Sequence, residues 1–189
     1  WNHCYHWNQQ QVTWPCAAAG HPELAHGWLR MRRDQLPRMI DSARRRFDAD
    51  GAWYSDVFDR RGWQSEDPPI TTPGLQIALD AWRTWRHTGD ETFLREIAWP
   101  LMREVCRFSL DRGYDDENGL WHPSIGHPYE HASSYDVRDG LTDIAHIRAV
   151  FPKAAQIADR FGEHAFADQL RDAVNRMVEP ELIPIPDHY

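Results

Sequence analysis

The sequence lacks the features that mark membrane-spanning, nucleic-acid-binding and disulfide-rich proteins. No apolar run in its 189 residues approaches the roughly 20 residues that a membrane helix needs. The net charge is −8 at pH 7, so nothing favours a phosphate backbone or an anionic membrane as a partner. Cys4, Cys16 and Cys106 are odd in number and widely spaced, which disfavours a disulfide framework and leaves open one Cys4–Cys16 bridge. We therefore predict neither a nucleic acid nor a membrane as partner.

The sequence also has few signals for β-structure and for nucleotide sites. It shows no strong alternation of apolar and polar residues and no short exact repeat. It contains no serine triad, phosphate loop or dinucleotide fingerprint. Apolar residues instead recur at helical spacings. They predict helices over about 17–47, 74–88, 91–111, 141–161 and 163–178.

Prolines and turn residues set the limits of these helices. Pro22 suits the first turn of a helix, and Pro37 is predicted to kink or divide the first segment. The pair Trp99-Pro100 is predicted to break the third segment. Asp90 can cap the helix that follows it.

Helix pairs alternate along the chain with two long loops, at residues 51–73 and 113–138. The first loop is rich in aromatic residues, which we expect to pack back onto the domain. Helical hairpins with functional loops at one end build an α/α toroid; about six hairpins close it, and roughly three occur here. The predicted fold class is all-α, with residues 1–189 as a single partial catalytic (α/α)6 barrel domain, roughly half of the toroid. Both ends are expected to continue into a longer protein.

Two short polar segments interrupt this helical pattern. Residues 7–15 combine carboxamides with tryptophan and proline, and residues 122–131 combine imidazoles, aromatics and one carboxylate with proline and glycine. Both are predicted to be loops. Sugar-cleaving sites use this mixture, because aromatic faces stack on the ring, amides bind hydroxyl groups and a carboxylic acid protonates the leaving oxygen. The two segments together predict a glycoside hydrolase site.

An ordered series of short motifs covers nearly the whole chain. An early motif has an asparagine followed by Trp-Pro, and a later one has Pro-Ser followed by a glutamate at a stretched spacing. The motifs are Asn8 with Trp14-Pro15, Arg61-Gly62-Trp63, Pro73-Gly74 with Trp82, residues 88–94, Trp99-Pro100, Pro123-Ser124 with Glu130, and residues 141–144 with Arg148 and Phe151.

This series resembles the catalytic domain of glycoside hydrolase family 95, the inverting α-L-fucosidases and their relatives with an (α/α)6 barrel. The resemblance implies an oligosaccharide or glycoconjugate substrate, no cofactor, and a bacterial enzyme of a kind that is often exported to the periplasm or outside the cell. The sequence itself leaves localisation open. The later family segment, with a His-rich loop and a catalytic Asp, has no counterpart before Tyr189. The catalytic base is therefore expected beyond this chain.

The resemblance assigns catalytic roles to three residues of the polar segments. Glu130 is the predicted general acid, and its pKa must be raised by burial or nearby negative charge to keep it protonated. Asn8 is predicted to hold the attacking water, since an amide can orient a water without being a strong base. His6 stands where the family has its first asparagine, and an imidazole can also bind that water.

Other residues are predicted to contact the sugar. If the first segment is extended, Gln10 lies on the same face as Asn8 and His6, because alternate residues of an extended chain share a face. Tryptophans offer flat apolar faces with an N–H donor, although core packing is the competing interpretation for each of them. The predicted ligand contacts are Gln10, Trp7, Trp14, Trp63, Trp121, His127 and His131.

A metal site is the first competing interpretation of the amino-terminal segment. His3, Cys4, His6 and Cys16 offer nitrogen and sulfur ligands. Their spacing matches no structural zinc pattern, and the sequence contains no Cys-x-x-Cys pair. We therefore predict no metal.

Two further interpretations keep the toroid and change its function. One is another carbohydrate-active toroid enzyme, namely a different glycosidase, a glycoside phosphorylase or a polysaccharide lyase using Tyr129, His131 and Arg138. The other is an inactive carbohydrate-binding helical fragment. In either case a half toroid leaves one flank of its helices open, so we expect self-association through that flank.

Overall fold

The structure, a computed structural model, describes residues 7–65, 69–124, 126–127 and 137–180. Most of these residues are helical, which confirms the predicted all-α class, and one short antiparallel sheet pairs Tyr114 with His122. Within these ranges no helix combines the length and apolar character needed to cross a bilayer. The elements are α1 (Trp7–Ala18), α2 (Pro22–Asp34), α3 (Leu36–Phe47), α4 (Pro73–Thr88), α5 (Glu91–Phe93), a π-helix (Leu94–Ala98), α6 (Trp99–Arg112), β1 (Tyr114–Asp115), β2 (Trp121–His122), α7 (Leu141–Arg160) and α8 (His164–Asn175).

Proline residues divide the first helical segment as predicted. Pro22 begins α2, and Pro37 is the second residue of α3. Both therefore lie in a first turn, where a missing N–H breaks no helical hydrogen bond. The single residue Gln35 separates α2 from α3.

The helix that begins at Glu91 changes its hydrogen bonding where a break was predicted. Asp90 caps it as predicted, accepting hydrogen bonds from two backbone N–H groups at 2.9 and 3.0 Å. Leu94–Ala98 then forms a π-helix, and α6 follows directly with Pro100 in its first turn. The wider π turn lets the chain pass a residue that cannot donate, so the helix continues. The predicted break at Trp99-Pro100 is wrong.

The first polar segment is helical, so its prediction as a loop is wrong. Residues 7–15 belong to α1, with Pro15 inside the helix. Successive residues of a helix are rotated by about 100° about its axis. Asn8 and Gln10, two residues apart, therefore point to nearly opposite sides of α1. Asn8 is exposed, whereas Gln10 is fully buried. The predicted common face of Asn8 and Gln10 is therefore also wrong.

Two layers of helices form the fold. In the first layer α1, α4 and α7 contact one another in that order, and in the second α2, α6 and α8 do so. Each helix of the first layer also packs against the second-layer helix that follows it in the chain. These pairs form the hairpins α1–α2, α4–α6 and α7–α8. These hairpins lie side by side, as predicted for part of a toroid.

The helices α1 and α4 run in the same direction. Gln10 of α1 bonds to Asp80 of α4, and Trp14, one turn later, contacts Arg83. Residue numbers that rise together along an interface identify parallel helices. Gln10 is the fourth residue of α1, whereas Asp80 is the eighth residue of α4. The first residue of α1 therefore lies about one helical turn beyond the first residue of α4, measured along the direction in which both helices run.

The helices α4 and α7 are parallel by the same criterion. Thr71, which precedes α4, bonds to Asp143 in the first turn of α7. Further along, the Lys153 ammonium of α7 lies 5.0 Å from the Trp82 ring of α4. The N-terminal ends of α1, α4 and α7 therefore lie together at one end of the first layer.

The loop after α3 packs back onto the helices as predicted. Trp53 and Tyr54 have no exposed surface. The Trp53 Nε1 donates to the Ile70 carbonyl at 2.8 Å, and the Tyr54 hydroxyl donates to the Arg32 carbonyl at 2.6 Å. Because both polar atoms have partners, the aromatic rings are buried without the cost of an unpaired donor.

The turn between α7 and α8 is fixed to α6 by one carboxylate. Glu163 accepts a hydrogen bond from the Trp99 Nε1 at 3.0 Å and another from the Arg103 Nε at 2.7 Å. The two donors stand one turn apart on α6. This pairing fixes the rotation of α6 about its own axis relative to the α7–α8 hairpin.

We expect Gly51→Ala to destabilise the fold by about 2 kcal/mol or more, through positive-φ strain and backbone overlap. Gly51 has a φ of +86°, and a Cβ there would lie 2.3 Å from the Phe108 nitrogen and 2.4 Å from the Glu104 oxygen. Gly162→Ala is the matched control, since its φ is +77° and no atom lies within 4 Å of its Cβ position. Urea unfolding should give a clearly smaller loss for the control; equal losses would contradict the packing described.

Candidate active site

The second polar segment is attached at the end where α4 and α7 begin. Gly126 and Val137 exchange two backbone hydrogen bonds, of 3.1 and 3.0 Å, so the chain leaves and returns at one place. A Cβ at Gly126 would lie 3.4 Å from the Thr71 Oγ1 and 3.8 Å from the Asp143 Oδ2. The base of this segment therefore rests on the N-terminal ends of two parallel helices.

His122 and Asp139 make a second connection across the same base. The His122 Nδ1 lies 2.9 Å from the Asp139 Oδ1, and the imidazole stacks on the Tyr114 ring with centroids 5.0 Å apart. The pair joins β2 to the residues that lead into α7. Sequence reasoning placed His122 in the polar segment but gave it no role.

Asp143 is a buried carboxyl group at this end of the fold. Only 6% of the residue is exposed, and the Thr71 hydroxyl donates to its Oδ1 at 3.1 Å. Burial raises the pKa of Asp143 to about 6, while the Thr71 hydrogen bond, a backbone hydrogen bond and the charge of Arg112 act in the opposite direction. The group can therefore change its protonation state near neutral pH.

Arg112, the last residue of α6, lines the same small cavity as this carboxyl group, and the two charges interact. Its guanidinium is 4.2 Å from the centre of the Phe47 ring. Burial lowers the pKa of Arg112, and the charge of Asp143 opposes that shift. Sequence reasoning missed this arrangement. An Asp in the first turn of a helix and an Arg in the last turn are both common, because each interacts favourably with the helix dipole, and neither position alone indicates a site.

Several predicted site residues lie outside the described residues. They are His6, Glu130 and His131, and the same holds for the side chain of Trp7. Their roles stay predictions. Asn8 is described: its side chain is exposed on the first turn of α1, and α1 begins at the same end as α4 and α7. His127, next to Gly126, is buried with 2% of its surface exposed.

Gln10 joins two helices of the first layer. Its Nε2 donates to the Asp80 Oδ2 at 3.0 Å, and both residues are buried. The amide is thus used within the fold on the side facing α4. Contact between Gln10 and a sugar stays a prediction.

The described tryptophans of the predicted site lie in different surroundings. Trp14 and Trp63 are 40% and 52% exposed, and they lie on α1 and on the loop beside α3 respectively. Trp121 is 5% exposed, and its indole lies against Gly113 and the Phe151 ring. The competing core interpretation therefore describes Trp121 well, whereas Trp14 and Trp63 present indole surface to solvent.

The described residues offer no group of three or more His, Cys, Asp or Glu side chains able to hold a metal ion. His3, Cys4 and His6 fall outside that search. Cys16 is a free cysteine in α1, and Cys106 is a buried one whose thiol pKa is raised by burial.

Residues 1–184 match the family model described as the glycosyl hydrolase family 95 catalytic domain. The chain belongs to this family. The match covers the helices of both layers and the base of the second polar segment. It agrees with the ordered series of motifs along the sequence.

Two proteins similar to this family 95 domain are much longer than the chain. A kojibiose hydrolase of Flavobacterium johnsoniae is 25% identical over an aligned length of 129 residues, and the match covers 60% of this chain and 17% of that protein. A solved structure titled putative kojibiose phosphorylase from human microbiome matches with a TM-score of 0.71 and 16% identity, over 84% of this chain and 26% of that one. At this identity the structural match shows the shared fold alone. The chain spans about a quarter or less of either relative.

We expect Asp143→Asn to remove a pH dependence of stability from this family 95 domain. The folded pKa of about 6 exceeds the ordinary value of 3.8, so the folded state binds more protons between these values. Stability should therefore fall as pH rises from about 4 to about 6, by on the order of 3 kcal/mol. Asparagine keeps an oxygen for Thr71 but cannot ionise.

The measurement is the free energy of unfolding in urea at about pH 4.5 and about pH 7. The wild-type chain should lose more stability between these values than Asp143→Asn does. Asp116→Asn is the control: hydrogen bonds from backbone N–H groups, that of Leu120 first, lower the pKa of Asp116, so this group titrates below the window. Equal pH slopes for wild type and Asp143→Asn would exclude the assignment.

Proposed function

We propose that this domain forms part of the active site of a glycoside hydrolase that cleaves its substrate with inversion. One observation carries the proposal: the family 95 catalytic-domain match extends over residues 1–184. The convergence of the helix starts supports it, because Asn8 and the base of the Glu130 segment belong to the same end of the fold.

In the proposed mechanism Glu130 is the general acid. Inverting hydrolysis needs a protonated carboxyl group at the departing oxygen and a base on the opposite face of the sugar, with the two groups about 6.5–9.5 Å apart. A carboxyl group must be desolvated or placed beside negative charge to remain protonated near pH 7. The base is proposed to come from a part of the longer protein beyond Tyr189.

Asn8 and His6 are proposed to hold the attacking water. An amide carbonyl and an imidazole nitrogen can each accept a hydrogen bond from that water, which directs a lone pair toward the anomeric carbon. The exposure of Asn8 on the first turn of α1 supports this role. The exposed Trp14 on the same helix is a candidate stacking surface for the sugar.

An α-L-fucoside is the first proposed substrate class, on the basis of the sequence motifs. Kojibiose is the second, because the curated relative is a kojibiose hydrolase. The proposal also includes an oligosaccharide or glycoconjugate as the natural partner and a bacterial, exported parent enzyme. Assay of both sugars with and without inorganic phosphate separates hydrolysis from phosphorolysis.

We expect Glu130→Gln, in the longer protein that contains this domain, to lower kcat by about 10²–10⁴-fold on a substrate with an unactivated leaving group. A nitrophenyl glycoside should lose much less, because nitrophenolate leaves without a proton. Glu117→Gln is the matched control, since Glu117 is an exposed glutamate in the turn between β1 and β2. Wild-type turnover of the unactivated substrate by Glu130→Gln would exclude Glu130 as the acid.

The open flank of the half toroid is proposed to associate with a second copy of the isolated chain. Val12 on α1 and Leu24 on α2 are 67% and 59% exposed, and α1 packs against α2. In a longer protein the same surface would be covered by further hairpins.

We expect sedimentation velocity of the isolated chain to show association that rises with concentration. The double change of Val12 and Leu24 to Gln should shift the distribution toward monomer, because it removes apolar area from the interface. Leu120→Gln is the control, since Leu120 is 42% exposed but lies in the β1–β2 turn. A compact monomer at all concentrations would contradict the proposal.

A further inference from the structure

An exposed tryptophan, Trp63, lines one of two neighbouring clefts on the α3 side of the fold. One cleft, of about 500 Å³, is lined by Trp63, Arg38, Arg45 and other residues of α3 and the loop. The other, of about 530 Å³, lies between α2 and the turn 59–62 and is lined by Arg30, Arg38, Arg60 and Arg61 among others. Arg38 belongs to both clefts. We call this pair of clefts, with Trp63 at its edge, the Trp63 surface.

The turn that carries Trp63 is firmly built. The Asp59 Oδ1 accepts hydrogen bonds from the backbone N–H groups of Arg61 and Trp63, at 2.8 and 3.0 Å. The Asp59 carbonyl accepts from the Gln35 side chain at 2.9 Å, which fixes the turn to the end of α2. Gly62 has a φ of +83° and leaves room for the Arg38 side chain. The indole of Trp63 is thus held outward, with 52% of its surface exposed, by a preorganised backbone.

The charge of the Trp63 surface is opposite to that of the whole chain. The sequence carries a net charge of −8, yet five arginines and two aspartates, Asp34 and Asp41, line the two clefts. Both aspartates already pair with arginines, Arg33 and Arg45. The surface therefore keeps an excess of positive charge.

Four of these arginines are available for a ligand. Arg30, Arg38, Arg60 and Arg61 are exposed, and within the described parts of the chain none of their guanidinium groups forms an ion pair. Like charges gathered around two neighbouring clefts repel one another, so an anion that neutralises them is bound favourably. Guanidinium groups bind carboxylate and sulfate groups through paired hydrogen bonds.

We propose that the Trp63 surface binds an acidic saccharide, with a sugar ring on the indole of Trp63 and its carboxylate or sulfate groups on Arg38, Arg60 and Arg61. An aromatic face beside guanidinium groups matches a ring that carries an anionic substituent, since the ring offers C–H groups to the indole and the substituent offers oxygens to the arginines. The inference goes beyond the proposed hydrolysis and does not depend on Glu130. It assigns this domain a second carbohydrate contact, on the flank of the end where the first-layer helices begin.

Calorimetric titration tests the proposal on the Glu130→Gln form of the chain, so that binding is measured without turnover. The probes are tetragalacturonate, a sulfated heparin tetrasaccharide, neutral maltotetraose and inorganic tripolyphosphate. At least one acidic sugar should bind, with an affinity that falls as salt is raised, and maltotetraose should bind at least about tenfold more weakly. Tripolyphosphate, which has no ring to stack on the indole, should bind more weakly than the acidic sugar.

Variants then test the named residues. Trp63→Ala should weaken binding of the acidic sugar by about three- to tenfold, and Trp63→Phe by less. The double change of Arg38 and Arg61 to Gln should weaken it by about tenfold or more and reduce the salt dependence. Arg46→Gln is the control, because Arg46 is exposed on α3 but lines neither cleft.

The proposal is overturned if neither acidic sugar binds. It is also overturned if binding of the acidic sugar is unaffected by Trp63→Ala and tripolyphosphate binds equally well, which would make the surface a simple anion site. Circular dichroism of each variant establishes that it is folded. Loss of hydrolysis in Glu130→Gln is measured separately, so failure of the catalytic proposal leaves this test unchanged.

Discussion

The buried hydrogen bond between Gln10 and Asp80 and the one between Thr71 and Asp143 align three helices that are far apart in sequence. Each bond joins neighbouring members of the first layer, and each has a fixed partner because an unpaired polar group would be costly inside the fold. Sliding α1 or α7 along α4 by one turn would break these bonds and move the Gln10 amide and the Thr71 hydroxyl away from their acceptors. These two bonds therefore help to specify the register of the three parallel helices and, with it, their common end.

This alignment explains how residues separated by more than a hundred positions can serve one site. Asn8 lies in the first turn of α1, and the segment anchored by Gly126 and Val137 precedes α7. Neither segment reaches across the fold; the helices bring their own starts together. The Trp63 surface depends on the same arrangement indirectly, because Gln35 fixes its turn to the end of α2, which packs against both α1 and α4.

Much of the fold follows from the sequence because apolar residues recur at helical spacings wherever a helix buries an apolar face. Pro37 divides α2 from α3 and Asp90 caps α5 for local reasons that a sequence reveals directly. The helix α1 escaped prediction because the residues it buries, Gln10 and Thr13, are polar. A helix whose inner face is polar has the sequence pattern of a loop.

The candidate site is less predictable than the helices, because contacts between segments that are remote in sequence determine it. Asp143 has an ordinary position in a first turn, and only the approach of Thr71, Gly126 and Arg112 gives it an unusual environment. Conversely, Trp121 has a suitable residue type for a sugar site and lies in the packed interior, because the β1–β2 hairpin turns it against Phe151. Contacts between remote segments decide both cases, and sequence spacing carries no information about them.

The π-helix at Leu94–Ala98 contains one residue more than an α-helix of the same rise would hold. Deleting one residue there would restore α-helical winding and leave the flanking residues close to their present positions. A deletion within the regular helix α6 would instead rotate everything before it by about 100° and turn Phe93 and Leu94 out of the core. Among proteins that share this helix, the loss of a single residue should therefore be tolerated at Leu94–Ala98 and rare within α6.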